Sequence, residues 1–170
     1  MKKILVLLFF VNSVHANELS EYSWTQDGLN ARVSKVMSYT NRQNLNAILN
    51  IEFRIQEKCK DAFISVLLFK DKKLSTKKSH DFKKADRENR LNFFVNGNEF
   101  IYTSEKTIRV IYENGVEFGT IPSFNLIEEL ARTKGEIDVK MGGATLIKFE
   151  KTVGLVQALS SAKKFCISKI

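Results

Sequence analysis

Few side chains in this sequence are suited to catalysis, and their spacing decides what each can do. The chain holds two histidines and two cysteines. His15 falls before an expected cleavage site, which leaves His80, set in a polar, Lys-rich stretch where a solvated imidazole is expected rather than the base of a Ser-His-Asp triad. One histidine excludes a His-His zinc site, and no His/Cys spacing matches metal ligands. No GxSxG, P-loop or GxGxxG motif occurs. Glu128 and Glu129 adjoin near an expected helix start, where the macrodipole favours negative charge, and that explains them better than a glycosidase pair. Glu136 and Asp138 alternate with Ile137 and Val139, the pattern of a strand's wet face. No catalytic, metal or cofactor residue is assigned. An enzyme would need a site assembled from scattered Asp, Glu, Tyr and Lys.

The cysteines, Cys59 and Cys166, are not in a CxxC, so a thioredoxin-like role has no support. In an oxidising compartment such a pair is expected to form a disulfide; the alternative is two buried free thiols. Closing a loop of roughly 100 residues stabilises by up to about 4–5 kcal/mol in the chain-entropy model.

The compartment follows from the N-terminus. Met1-Lys2-Lys3 is a basic start, Ile4 to Val11 has no polar residue, and Val14-His15-Ala16 fits a signal-peptidase site. The apolar run would span about 12 Å as a helix, too short for a bilayer core of about 30 Å. The expectation is a bacterial signal peptide at 1–16, then one domain at 17–170 in the periplasm or outside the cell, with no transmembrane segment. Removing Lys2 and Lys3 lowers the formal charge from +8 to +6.

Most of that charge lies in Lys70–Arg90, with nine basic and four acidic residues. The segment lacks a periodic apolar stripe and is expected to be an exposed excursion between strands. Lys70, Lys72, Lys73, Lys77, Lys78, Lys83 and Lys84 are the candidate partner-binding residues. A protein partner in the envelope is expected, acidic if it meets this run; the alternative is a solvated loop that serves solubility alone. Nucleic acid is not, given the compartment and the shortage of stacking rings near the run.

The elements around these residues are mainly strands. Trp24–Met37 holds a first strand with a turn at Asp27-Gly28. Leu49 to Gln56 alternates strictly, with Leu49, Ile51, Phe53 and Ile55 on one face. Ala62–Phe69 is almost wholly apolar and reads as a central strand buried on both faces. Asn96-Gly97 marks a hairpin between Leu91–Val95 and Phe100–Thr103. Lys106–Tyr112 and Val116–Ile121 flank Asn114-Gly115, and Ile137–Met141 and Ala144–Glu150 flank Gly142-Gly143. A short helix follows Pro122, capped by Asn125 with Glu128, with Phe124, Ile127, Leu130 and Ala131 on its inner face and Gly135 as its stop. Thr152 caps a last helix, Val153–Cys166, whose buried stripe is Leu155, Leu159, Ala162 and Cys166. Seven or eight strands with short links predict a mainly β fold, a β-sandwich or strongly curved antiparallel sheet with two short helices, the C-terminal one docked on the sheet. An open α+β sheet is the alternative.

Residues 126–166 add a resemblance. A short helix, a strand pair ending at Phe149, a Gly154-Leu155 entry, Ala158-Leu159 and a terminal Cys166 resemble small secreted bacterial proteins of the invasion-associated locus B type and periplasmic accessory proteins found beside type VI secretion genes. The resemblance implies a β-sandwich, a Cys-pinned helix and a non-enzymatic envelope role. The leading functional expectation is a non-catalytic periplasmic protein that binds a macromolecular partner, as an accessory of an envelope, secretion or conjugation machine. An immunity-type inhibitor of a secreted toxin is the second reading, and an envelope enzyme with an unrecognised site the third.

Overall fold

The computed structural model describes residues 24–38, 44–70, 75, 83–84, 90–150 and 152–170. The expected export signal at 1–16 lies outside these residues, as do His80 and most of the basic run.

The first strands are β1 (Thr25–Asp27), β2 (Asn30–Ser38), β3 (Asn44–Phe53), β4 (Ala62–Phe69) and β5 (Lys83–Lys84). There follow β6 (Leu91–Val95), β7 (Asn98–Tyr102), β8 (Thr107–Tyr112), β9 (Gly115–Thr120), α1 (Phe124–Arg132), β10 (Ile137–Met141), β11 (Ala144–Phe149) and α2 (Leu155–Ile167). The fold is mainly β, as expected, though the described residues form eleven strands rather than seven or eight. One antiparallel sheet has the order β1-β2-β3-β4-β9-β8-β5, the other β11-β10-β6-β7. β11 meets β3 and β4 across the interior, and α2 packs on β1, β2 and β3. The result is a β-sandwich-like core with the C-terminal helix on one half of the larger sheet.

β4 is the middle strand of seven, and six of its eight residues are buried, as its apolar run requires. β3 buries Leu49, Ile51 and Phe53 on its inner face but ends there. Ile55 is not the next inward residue. It opens a 3₁₀ turn (Ile55–Glu57) and is 37% exposed. The turn is tied by Cys59 N–H to the Arg54 carbonyl at 3.0 Å and Arg54 N–H to the Asp61 carbonyl at 3.1 Å. Asn96 and Gly97 both take positive φ, 51° and 82°, as the β6–β7 hairpin demands.

The helix caps differ from expectation. Ser123, not Asn125, caps α1: its hydroxyl accepts from Leu126 N–H at 3.4 Å. The same Ser123 meets the Tyr102 hydroxyl at 3.2 Å, so the cap also joins α1 to β7. The inner face is Leu126 and Leu130, with Ile127 partly buried, while Phe124 is 70% exposed. At α2 the N-cap is Gly154, at φ 79°, beside the Trp24 backbone. Thr152 instead donates to the Thr133 carbonyl at 3.2 Å. The α2 stripe Leu155, Leu159, Ala162 and Cys166 is buried as expected, joined by Ala158.

Cys59 and Cys166 form a disulfide, with Cα atoms 5.9 Å apart and a sequence separation of 107. Both are buried. The bond fixes the last turn of α2 to the β3–β4 connection.

Candidate functional site

Lys70 leaves β4 at one end of the larger sheet, exposed, its N–H donated to the Asn114 carbonyl at 3.1 Å. Five residues on, Ser75 N–H donates to Asn114 Oδ1 at 2.8 Å and its hydroxyl to Glu113 Oε2 at 2.9 Å. Both contacts bind the basic segment to the β8–β9 turn. The segment then supplies β5, with Lys83 opposite Arg109 and Lys84 opposite Ile108. It is therefore not only a loop between strands: β5 is the last strand of the larger sheet, beside a strand that carries Arg109. Lys72, Lys73, Lys77 and Lys78 lie outside the described residues. Composition alone could not place β5, because a two-residue strand has no period and is defined by its backbone partner.

β8 carries more than cationic charge. The Tyr112 hydroxyl donates to Glu117 Oε2 at 2.8 Å. Burial, then the hydrogen bond and the Glu117 charge, push the Tyr112 phenol up to about 12. The Arg109 Nε is buried without a hydrogen-bond partner among the described residues.

The paired carboxylates have structural work. Glu128 pairs with Arg132 one turn on at 3.5 Å, and Glu129 accepts from Asn96 Nδ2 at 2.8 Å. Asn96 in turn accepts from the Thr133 hydroxyl at 2.6 Å, so these groups lock the β6–β7 turn onto the end of α1.

The expected wet face of β10 is only half wet. Glu136 is exposed and pairs with Lys148 at 3.0 Å, and that contact raises the Lys148 ammonium. Asp138 is buried, with Oδ2 3.3 Å from Lys140 Nζ and Oδ1 without a partner among the described residues. The Lys140 ammonium sits 4.7 Å from the centre of the Phe94 ring. With Asn96, Gly97 and Glu136 these residues line a shallow hollow of about 390 Å³. An incoming cation would have to displace Lys140 from both the carboxylate and the ring, so the hollow is already internally neutralised. Burial of Asp138 had no sequence signal, since it comes from the long side chains around it.

Among the described residues no group of three or more His, Cys, Asp and Glu side chains is arranged to hold a metal ion. No described helix is long and apolar enough to cross a membrane. The chain matches no protein-family model, no curated protein and no solved structure.

Proposed function

We propose that the protein is a non-catalytic binding module of the bacterial cell envelope that recognises an acidic macromolecular partner along the β5 edge of its larger sheet. The observation that carries this reading is the register of β5: Lys83 stands opposite Arg109, so two basic positions share the last strand pair of the larger sheet. Lys70 and Ser75, held on the β8–β9 turn, anchor the same segment at the sheet's end. The sequence from Met1 to Ala16, with the buried disulfide, supports export to an oxidising compartment. A role as accessory to an envelope or secretion machine accords with the resemblance of residues 126–166.

The test combines affinity capture from the native host's envelope with a Lys72, Lys73, Lys77 and Lys78→Gln variant. The variant should keep its melting temperature, because a lysine run without a periodic apolar stripe is expected to lie in water, where substitutions usually change stability by within about 0.5 kcal/mol each. It should associate with the captured partner more slowly, with a flatter salt dependence, since steering is screened over about 8 Å at physiological salt. Equal rates for variant and wild type at low and high salt would sink the reading.

A further inference from the structure

A second positive surface lies away from the β5 edge and does not depend on the basic segment. Asp27 pairs with Asn30, and Asn30 with Glu52, so the β1–β2 turn and the end of β3 share one end of the larger sheet. The 54–61 turn follows there, and the Cys59–Cys166 bond brings the last turn of α2 to it. Phe165 closes the group: a Cβ added at Gly28 would lie 3.7 Å from its ring.

Four of the ten well-exposed large apolar side chains among the described residues gather at this end: Ile55 at 37%, Phe165 at 39%, Ile167 at 54% and Ile170 at 68%. Around them stand Lys58, Lys60, Lys163, Lys164 and Lys169, all exposed and none in an ion pair among the described residues. The Lys169 ammonium sits 5.0 Å from the centre of the Phe165 ring. Of the nearby acids, Asp27 is paired with Arg32 and Glu57 lies 3.9 Å from Arg54, which leaves Asp61 as the exposed carboxylate of the turn. A helix end alone would account for Lys163 and Lys164 through the macrodipole. It does not account for Lys58 and Lys60 on another segment, nor for the apolar residues beside them.

We infer that this disulfide-joined end docks on an anionic lipid surface. An acidic protein face would satisfy the lysines and leave the isoleucines against charge. The interface of an anionic bilayer takes both, with head groups meeting the ammoniums and the acyl boundary receiving Ile167, Ile170 and Phe165. Lysine stems reach outward from such a position while their aliphatic carbons stay in apolar contact.

The test is co-sedimentation of the oxidised exported protein with phosphatidylcholine vesicles, with and without phosphatidylglycerol. Wild type should partition onto the anionic vesicles and not the neutral ones. Each lysine near the surface is worth roughly five-fold in partitioning, so a Lys163→Gln, Lys164→Gln pair should weaken it more than about ten-fold. Ile167→Ser with Ile170→Ser should weaken it also at high salt, where the charge contribution is screened. All four residues are exposed, and an unchanged melting temperature verifies the fold of each variant. The Lys72, Lys73, Lys77 and Lys78→Gln variant should bind vesicles as wild type does, which separates this surface from the β5 edge. Equal or absent partitioning on the two vesicle types overturns the inference. So does loss confined to the 72–78 variant, or capture by polyglutamate that the Ile→Ser pair leaves unchanged while vesicle binding is lacking.

Discussion

At one edge of the larger sheet, β1, β2 and β3 lie beneath α2. Ala31 and Ala47 on the strands and Ala158 and Ala162 on the helix are all buried, and small residues on both sides allow close approach. Leu155 and Leu159 fill the space between, and a disulfide closes the far end. At the other edge the inward row that includes Val66 and Phe118 continues to Arg109, and Val116, Phe118 and Ile111 are only half buried. The last strand there is two lysines. One sheet therefore has an edge built for packing and an edge built from charge. Substitutions that lower stability should concentrate on the first, and those that alter recognition on the second.

The largest expected effect breaks the packed edge. Cys59→Ala should destabilise by about 2–5 kcal/mol, the usual cost of a lost native disulfide. Chemical denaturation should show the loss, and Cys166→Ala should give nearly the same value because each removes the same bond. Non-reducing mass analysis of wild type should find two hydrogens fewer than the dithiol form. If the single variants unfold at the wild-type midpoint, the clamp is not what stabilises this edge.

A smaller effect lies where the two halves of the sheet meet. Gly119 pairs with Ser65, and a Cβ added to it would come within 2.2 Å of the Phe63 ring. Gly119→Ala forces that half-buried ring aside and should cost about 1–3 kcal/mol, as overpacking does. Truncating the ring in the same chain, as Phe63→Leu, should recover part of that cost, a coupling expected only between touching residues. Strict additivity of the two changes would show that the ring does not cover Gly119 in solution.

The packed half was far more legible in the sequence than the charged half. Ala62–Phe69 was recognisable because a run of that composition and length fits a strand covered on both sides. Asn96-Gly97 and Gly142-Gly143 were recognisable because few residues tolerate positive φ. The α2 stripe and the cysteine pair were visible for the same local reasons. Alternation continues through Ile55 in the sequence, whereas in the fold the 54–61 turn that carries Cys59 interrupts it after Phe53. Asn125 with Glu128 carries the box pattern, yet Ser123, a residue type equally preferred at an N-cap, holds the position and also meets Tyr102, 21 residues away. The placement of Lys83 and Lys84 beside β8 was invisible, since strand order is a tertiary property. The apolar and basic residues joined at the disulfide are likewise scattered in sequence, at 55–60 and 163–170.

The packed edge can be sharpened by a favourable change. Lys58 and Cys59 both hold positive φ, 51° and 58°, a conformation that costs an L-residue roughly 1–2 kcal/mol. Glycine removes that cost while losing more chain entropy on folding, so Lys58→Gly should stabilise by up to about 1 kcal/mol. Lys58→Ala, which keeps the strain, should leave the melting temperature near wild type. A destabilising glycine would mean that the lysine itself holds the turn.

The smallest effect tests the charged edge through pH. Tyr112 has its phenol raised to about 12 by burial and by Glu117. The unfolded chain titrates its tyrosines near pH 10. A raised acid group favours the folded state fully below the unfolded value, and that contribution is lost as pH rises from about 10 to about 12. Only partial burial accompanies the shift, so the change in stability should be slight and best read directly. Ultraviolet difference titration of wild type against Tyr112→Phe isolates this phenol from the other tyrosines. Glu117→Gln should bring its midpoint down towards 10, because the charge and the carboxylate acceptor are both removed while burial remains. An unchanged midpoint would mean that burial alone sets the phenol; a lowered one ties the Glu117 carboxylate to Tyr112, as their 2.8 Å contact requires.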